Sequence, residues 1–244
     1  MIHSTKGIVL NQIKYGETSL IVSIYTEKFG RQTYMVKGAR SKKSKNKNNL
    51  FRPFFLLDME VYHRAGKNIQ SLKEVRLSEP IHNLIFDVHK STMVLFLAEV
   101  VTKVIREEEA NLELFVFLYN SIRYLDLCDE SIQFFHLYFL TRLTRFLGCY
   151  PQLNREDKKP FFDLDNGRFV SLENKHAHCL NFELSQSLNI LINTSIDQLN
   201  ELIFSKIVVN DLLRAILNFY ALQIDGFSSL KSLSVIQNIF SDDL

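Results

Sequence analysis

The sequence from Gly7 to Gly30 reads GIVLNQIKYGETSLIVSIYTEKFG, and its pattern favours two β-strands joined by a tight turn. The segments Gly7–Ile13 and Ser19–Thr26 are rich in β-branched and aliphatic residues, which suit a pleated, half-buried surface. The intervening Tyr15-Gly16-Glu17 has turn chemistry, and Phe29-Gly30 ends the second segment. We therefore predict that the chain begins with an all-β module.

Three further strand segments continue this module. They are Arg31–Val36, Phe54–Tyr62 and Ile69–Leu77, and the last two flank the hairpin loop Arg64–Asn68. Five short strands with one long polar connection predict an oligonucleotide/oligosaccharide-binding barrel (OB fold) over residues 1–79, and an SH3-like barrel is the alternative. Pro80 then closes the module, because proline disfavours continuation of the strand.

Helical periodicity begins at Ile81 and predicts a second, α-helical domain over residues 80–244. The predicted helices occupy residues 84–105, 112–127, 132–147, 184–192, 196–204, 207–223 and 230–240. Asp165-Asn166-Gly167 separates the apolar segments Phe161–Leu164 and Arg168–Val170, and an Asn-Gly pair in this setting predicts a β-hairpin. The fold class is therefore two-domain: an all-β OB barrel, then an α-helical bundle with a small hairpin insertion near residues 158–174.

The composition, 46% hydrophobic and 23% charged over 244 residues, is that of a globular protein. The longest apolar run, Met93–Ala98, is far shorter than the ~18 residues that cross a membrane, and no signal-peptide pattern follows Met1. Three cysteines argue against a disulfide framework and favour a reducing compartment. We therefore expect a soluble, cytoplasmic protein without a membrane partner.

Positive charge is concentrated at the start of the chain. Residues 1–77 contain 15 Lys and Arg against 5 Asp and Glu, a net of +10, whereas the whole chain has a net charge of +2. Most of the excess lies in one acid-free interval, and its cations are the nucleic-acid-binding candidates: Arg31, Lys37, Arg40, Lys42, Lys43, Lys45, Lys47 and Arg52. A basic run within a barrel loop is typical of phosphate binding, and the alternatives are a solvated loop, an acidic lipid surface or an acidic protein partner.

Four tyrosines of the barrel, Tyr15, Tyr25, Tyr34 and Tyr62, are candidates for base stacking, although aromatic residues of small barrels more often form the core. Enzyme motifs are missing: Gly38–Ser44 lacks the second glycine of a phosphate loop, and no nucleophile elbow or His-Glu-x-x-His occurs. We therefore expect a binding protein without catalytic residues or a cofactor.

A zinc site is the metal-binding alternative that the sequence raises. Cys149, His176, His178 and Cys179 flank the predicted hairpin, but their spacing differs from the C-x2-4-C and H-x3-5-H pairs of closed zinc sites. A polar loop beside a buried thiol explains these residues more simply, so we predict no bound metal.

Together these features resemble the RecO family, bacterial recombination mediators of DNA repair. The resemblance lies in Gly7–Gly30 with its Tyr-Gly-Glu turn, in Lys37-Gly38-Ala39-Arg40 with the basic loop, in Phe51–Phe54 with the hairpin strands that follow, and in Leu230–Leu233. It is specific over residues 1–80 and looser through the helices, where order and length agree.

The resemblance implies binding of single- and double-stranded DNA, annealing of complementary strands, and help in loading RecA onto strands coated by single-strand-binding protein. RecR is the implied partner, and Lys37 and Arg40 of the Lys-Gly-Ala-Arg motif would contact phosphates. An RNA-binding module or a protein adaptor without annealing activity is the alternative.

Two further implications concern the helical domain. The family binds the acidic C-terminal tail of single-strand-binding protein there, and Arg123, Arg142 and Arg145 are our candidates because an acidic, aromatic peptide suits a cation beside an apolar helix face. Many members also carry two Cys-x-x-Cys pairs that form a zinc-binding hairpin. This chain has neither pair, so we expect packing of Phe161, Phe162 and Phe169 to hold the hairpin instead.

Overall fold

A computed structural model describes residues 1–41, 48–106, 108–129, 132–153, 159–172 and 175–239. The chain divides by internal contacts into two compact units, Met1–Leu127 and Cys128–Leu244. The first unit contains the barrel and two helices, and the second contains the remaining helices and the hairpin. The first unit extends beyond the barrel to include the first two helices. The predicted domain boundary after residue 79 stays a prediction.

Five strands form a closed barrel: β1 (Ile2–Tyr15), β2 (Ser19–Thr26), β3 (Gly30–Val36), β4 (Leu56–Tyr62) and β5 (Gln70–Leu77). Their order is β1-β2-β3-β5-β4, and every pair is antiparallel except β3–β5, where Tyr34 pairs with Gln70. This order is that of the OB fold, so the predicted fold class is confirmed and the SH3-like alternative is excluded.

The first strand closes the barrel because it pairs on both sides. Its first half, from Ile2 to Ile8, pairs with β4, and its second half pairs with β2 as far as Tyr15. Gly7 and Ile8 pair with both strands, and a register shift between Val9 and Asn11 follows directly after them. Such an irregularity bends a strand and increases its local twist, which closure of a small barrel requires.

Helices α1 (Val88–Val104) and α2 (Leu112–Leu127) complete the first unit. The helix predicted from residue 84 begins later, after the N-cap Asp87, whose carboxylate accepts from the Lys90 backbone N–H at 2.8 Å. Residues 82–84 instead donate their backbone N–H groups to the buried Asp126 carboxylate at 2.8–3.1 Å. This long-range contact has no local signature, which is why the predicted start was wrong.

The second unit contains four helices and the hairpin within its described residues: α3 (Phe135–Leu143), β6 (Phe161–Asp163), β7 (Arg168–Val170), α4 (Phe182–Asn193), α5 (Lys206–Gln223) and α6 (Leu233–Ile239). The predicted helix over residues 196–204 is a 3₁₀ turn, Ile196–Glu201. The Tyr220 hydroxyl donates to the Leu140 carbonyl at 2.7 Å and joins α5 to α3. None of the helices in the described ranges has the length and apolarity to span a membrane.

The predicted hairpin is confirmed, and buried phenylalanines hold it. Phe162 packs edge-on against Phe169, with ring centroids 5.1 Å apart, and against Phe219 of α5 at 6.0 Å. The Gln223 side chain also donates to the Leu164 carbonyl at 3.0 Å. The expected packing role therefore holds for Phe162 and Phe169, whereas Phe161 is only half-buried.

Candidate nucleic-acid interface

The basic segment between β3 and β4 is anchored in the barrel core at both ends. Ala39 on one side and Phe51 on the other are fully buried among the core residues. Arg40 between them is exposed, its backbone N–H donates to the Thr18 carbonyl at 2.9 Å, and its guanidinium donates to the Gly16 carbonyl at 3.2 Å. The start of the segment, at Arg40, is therefore held at the surface beside the β1–β2 turn.

The eight predicted phosphate contacts differ in their surroundings. Lys37, Arg40 and Arg52 are exposed. The lysines at the centre of the segment lie outside the described residues: Lys42, Lys43, Lys45 and Lys47. For these four the phosphate-binding role stays a prediction from the sequence.

Arg31 has a different environment from the other candidates. Its guanidinium donates to the carbonyls of Thr102 and Ile105, both at 2.7 Å, and to the Ser23 hydroxyl at 3.2 Å. These two carbonyls lie at the C-terminal end of α1, where no backbone N–H of the helix donates to them. Arg31 supplies the missing hydrogen-bond donors, and its positive charge suits the negative end of the helix. Burial and the nearby Arg106 lower the pKa of Arg31. These contacts give Arg31 a structural role, and we leave it out of the phosphate-binding set.

Three further exposed cations of the barrel lie outside the acid-free run. Lys14 lies near the end of β1, and Arg64 and Lys67 lie in the loop between β4 and β5. The buried Gln70 side chain orders this loop, because it accepts from the Arg64 backbone N–H at 3.0 Å and donates to the Arg64 and Lys67 carbonyls at 2.8 and 2.9 Å. These cations are scattered in the sequence, so no charge run revealed them.

Ion pairing distinguishes these cations from Lys73 and Arg76, although Lys28, between β2 and β3, is likewise exposed and has no carboxylate partner among the described residues. Within the described ranges no carboxylate pairs with the side chains of six exposed cations: Lys14, Lys37, Arg40, Arg52, Arg64 and Lys67. By contrast, Lys73 pairs with Glu60 at 2.7 Å, and Arg76 pairs with Asp58 at 3.3 Å. A cation without a carboxylate partner can contact a phosphate directly, whereas a paired cation would first have to leave its carboxylate.

The four candidate tyrosines divide into two pairs. Tyr25 and Tyr34 are at most 1% exposed, so they cannot stack on bases. Tyr34 belongs to the barrel core, where burial raises its pKa, whereas the Tyr25 ring stacks on Phe115 of α2 and its hydroxyl donates to the Asn111 carbonyl at 3.4 Å. Tyr15 and Tyr62 are 52% and 43% exposed. Only this second pair is accessible to a nucleobase.

Comparison with known proteins agrees with this architecture. Residues 1–81 match the family described as Recombination protein O N terminal, and residues 85–234 match Recombination protein O C terminal. The chain belongs to the RecO family of DNA repair proteins. The DNA repair protein RecO of Phocaeicola vulgatus is 39% identical over 243 residues, covering 99% of this chain and 100% of that protein. The proteins of the same name from Christiangramia forsetii and from Bacteroides fragilis are 38% and 36% identical over 241 residues, each covering 98% of this chain and 100% of the relative.

The three arginines proposed for RecO partner binding differ in their contacts. Arg123 forms an ion pair with Glu79 at 2.8 Å. Arg142 donates to the Tyr150 hydroxyl and to the Thr194 carbonyl, both at 2.8 Å. Arg145 is exposed and has no described acceptor. Of the three, Arg145 is the one whose guanidinium is available to an acidic peptide.

The zinc-binding hairpin of many RecO proteins cannot form in the same way in this chain. The sequence contains three cysteines and no Cys-x-x-Cys pair, so four thiolates cannot surround one ion. None of the three cysteines is in a disulfide, and burial raises the pKa of Cys149. Any metal held here would need a ligand set of mixed chemistry.

Proposed function

We propose that this RecO protein binds single- and double-stranded DNA through the barrel, anneals complementary strands, and helps load RecA onto strands coated by single-strand-binding protein. The observation that carries the proposal is the group of exposed barrel cations without a carboxylate partner. In this proposal the protein acts by binding and not by catalysis, in the cytoplasm.

Electrostatics provides the mechanism for annealing. Two DNA strands repel each other, and cations that neutralise both backbones lower that barrier while the base edges stay free to pair. Each phosphate contact on single-stranded DNA contributes about −0.7 to the slope of log affinity against log salt. The six described cations would therefore contribute about −4 to the slope, and the four lysines outside the described residues would add about −3.

A salt titration with matched charge removals tests the proposed surface. We expect the double variant Lys37→Gln/Arg40→Gln to reduce the slope by about 1.4, because each change removes one phosphate contact. The control Lys73→Gln/Arg76→Gln removes the same charge from ion-paired positions and should leave the slope nearly unchanged. Removal of the four lysines outside the described residues, by changing Lys42, Lys43, Lys45 and Lys47 to Ala, should reduce the slope by about 3.

The assay uses the full-length protein, a fluorescent single-stranded oligonucleotide, and strand annealing followed in the same samples. Equal slopes for the two double variants would contradict the proposed surface. Stronger competition by a matched RNA oligomer would favour an RNA-binding module, and the absence of salt-dependent binding would favour a protein adaptor.

Partner binding forms a separate part of the proposal. RecR and the acidic C-terminal tail of single-strand-binding protein are the proposed partners, and Arg145 is the proposed contact for the tail because its guanidinium is exposed. Fluorescence anisotropy with a labelled tail peptide should show weaker binding by Arg145→Ala than by the control Arg214→Ala, which removes an arginine paired with Asp211 at 3.5 Å. Equal affinities would remove Arg145 from the proposal.

A further inference from the structure

The loop that precedes α4 forms a third strand-like edge beside the hairpin. Asp163 at the end of β6 and Cys179 in the loop form an antiparallel bridge. The backbone N–H of Leu180 donates to the Phe162 carbonyl at 2.8 Å, and that of Leu164 donates to the His178 carbonyl at 3.1 Å. This pairing brings together side chains that are far apart in the sequence.

Three different ligand types meet at this edge. One oxygen of Asp163, one ring nitrogen of His176 and the sulfur of Cys179 all lie within 4.8 Å of one another. The His176 Nε2 is already 3.2 Å from the Asp163 Oδ1. The backbone N–H of Cys179 donates to the His176 carbonyl at 3.1 Å and closes a turn, which places the two ligands three residues apart as in a C-x2-C pair.

We propose that Asp163, His176 and Cys179 bind a divalent transition cation of the zinc type, with one coordination position left for water. Carboxylate oxygen, imidazole nitrogen and thiolate sulfur are the three ligand types that zinc accepts. With metal–ligand bonds of about 2.0–2.3 Å, a tetrahedral ion needs ligand atoms about 3.3–3.8 Å apart. The His176 and Asp163 atoms are already 3.2 Å apart, so any closure that remains concerns their distances to the Cys179 sulfur, and the His176 side chain, 41% exposed, has room to rotate.

The surrounding groups hold the ligands in place. The Asp163 Oδ1 accepts from the backbone N–H groups of Asp165 and Asn166 at 2.9 and 3.2 Å, and Asn166 Nδ2 donates to Oδ2 at 2.7 Å. The other ring nitrogen of His176 lies 3.9 Å from Asp165 Oδ2, a carboxylate of the kind that orients metal-bound histidines. In this structure that nitrogen accepts from the His178 backbone N–H at 3.3 Å. A metal on Nε2 would place the imidazole proton on Nδ1, so this contact would be lost and Asp165, which already contacts the His178 ring at 2.8 Å, would become the acceptor.

This site differs in chemistry from a four-thiolate centre, and it does not depend on the DNA-binding proposal. Its effect would be to link the hairpin to the loop before α4. Because ligand binding to the folded state stabilises it by mass action, the metal should also raise the melting temperature.

Cobalt substitution of the tag-free, full-length protein tests the site. Co²⁺ bound by a thiolate gives a near-ultraviolet charge-transfer band, and we expect one equivalent that zinc displaces. His176→Gln and Cys179→Ser should lose the band and weaken binding at least tenfold, whereas the controls His178→Gln and Cys149→Ser should keep both. Circular dichroism establishes whether each variant is folded. We expect His176→Gln to fold, because the His176 side chain is 41% exposed.

The cobalt band distinguishes a metal site at these three residues from one elsewhere and from none. A band that His176→Gln and Cys179→Ser abolish and both controls retain would support the proposal. The absence of a band in the parent protein, its persistence in either ligand variant, or its loss in Cys149→Ser would overturn it. DNA binding plays no part in this readout, so failure of one proposal leaves the other standing.

Discussion

Replacement of Arg31 distinguishes a structural cation from a DNA-binding one. Arg31→Ala removes the donors to the Thr102 and Ile105 carbonyls, both 2.7 Å away, and to the Ser23 hydroxyl. The two carbonyls lie at the end of α1, where the helix offers them no other donor. The variant therefore measures how much the free energy of unfolding falls when the end of α1 beside the barrel strand loses these hydrogen-bond donors.

The magnitude follows from these contacts. A hydrogen bond to a charged group contributes about 1.5–3 kcal/mol, and water can replace part of it because Arg31 is only half-buried. We expect Arg31→Ala to lower the free energy of unfolding by about 3 kcal/mol. For a unit of this size that loss corresponds to a fall of about 10 °C in melting temperature.

Urea denaturation followed by circular dichroism measures the loss. Arg31→Lys should retain part of the stability, because an ammonium can reach one carbonyl but lacks the planar fork. The control Arg76→Ala removes an arginine whose side chain is 81% exposed and should cost less than about 0.5 kcal/mol. The salt slope of DNA binding, measured where all variants are folded, should be unchanged in Arg31→Ala. A stability within about 1 kcal/mol of the parent, together with a slope reduced by about 0.7, would refute the structural assignment and return Arg31 to the phosphate-binding set.

Three other predictions follow from buried polar groups. Asp126→Ala should lower the unfolding free energy by about 3 kcal/mol in urea, because three backbone N–H groups at residues 82–84 lose their acceptor; a loss below 1 kcal/mol would contradict this. Burial lowers the pKa of His136 from 6.5 to about 4, so the free energy of unfolding should be full above pH 6.5 and fall by about 3 kcal/mol as the pH drops toward 4. His136→Gln should reduce this pH dependence, and an unchanged pH dependence would exclude His136 as its source. Gln70→Ala should speed hydrogen exchange at Arg64 and Lys67 and leave the β2–β3 amides unchanged, since Gln70 orders only that loop; equal protection in both proteins would contradict this.

Local patterns in the sequence were sufficient to predict most of the fold. Alternating β-branched residues predict β2 as Ser19–Thr26, and the structure has the same bounds. The Asn-Gly pair predicts the hairpin of β6 and β7, because its turn geometry is encoded within two residues. Both features depend on neighbouring residues alone.

Long-range contacts explain what the sequence could not reveal. The start of α1 depends on Asp126, more than forty residues away, whose carboxylate holds residues 82–84 outside the helix. The role of Arg31 depends on its contacts with the end of α1. Its charge alone placed it with the other cations of the run as a predicted phosphate contact. Asp163 joins His176 and Cys179 only because β6 pairs with the loop before α4. In each case the partner is brought close by tertiary structure.

The double pairing of β1 sets an order for barrel assembly. The β1–β2–β3 meander needs two tight turns, whereas pairing of β1 with β4 must first close the connection between Val36 and Leu56. Because pairing between distant segments is slow, closure is expected to be the late kinetic step of folding. Lys37, Arg40 and Arg52 lie within that connection, so these cations reach their final positions only when the barrel closes. During synthesis on the ribosome, a nascent chain therefore exposes its positive charge before it possesses a shaped surface for DNA.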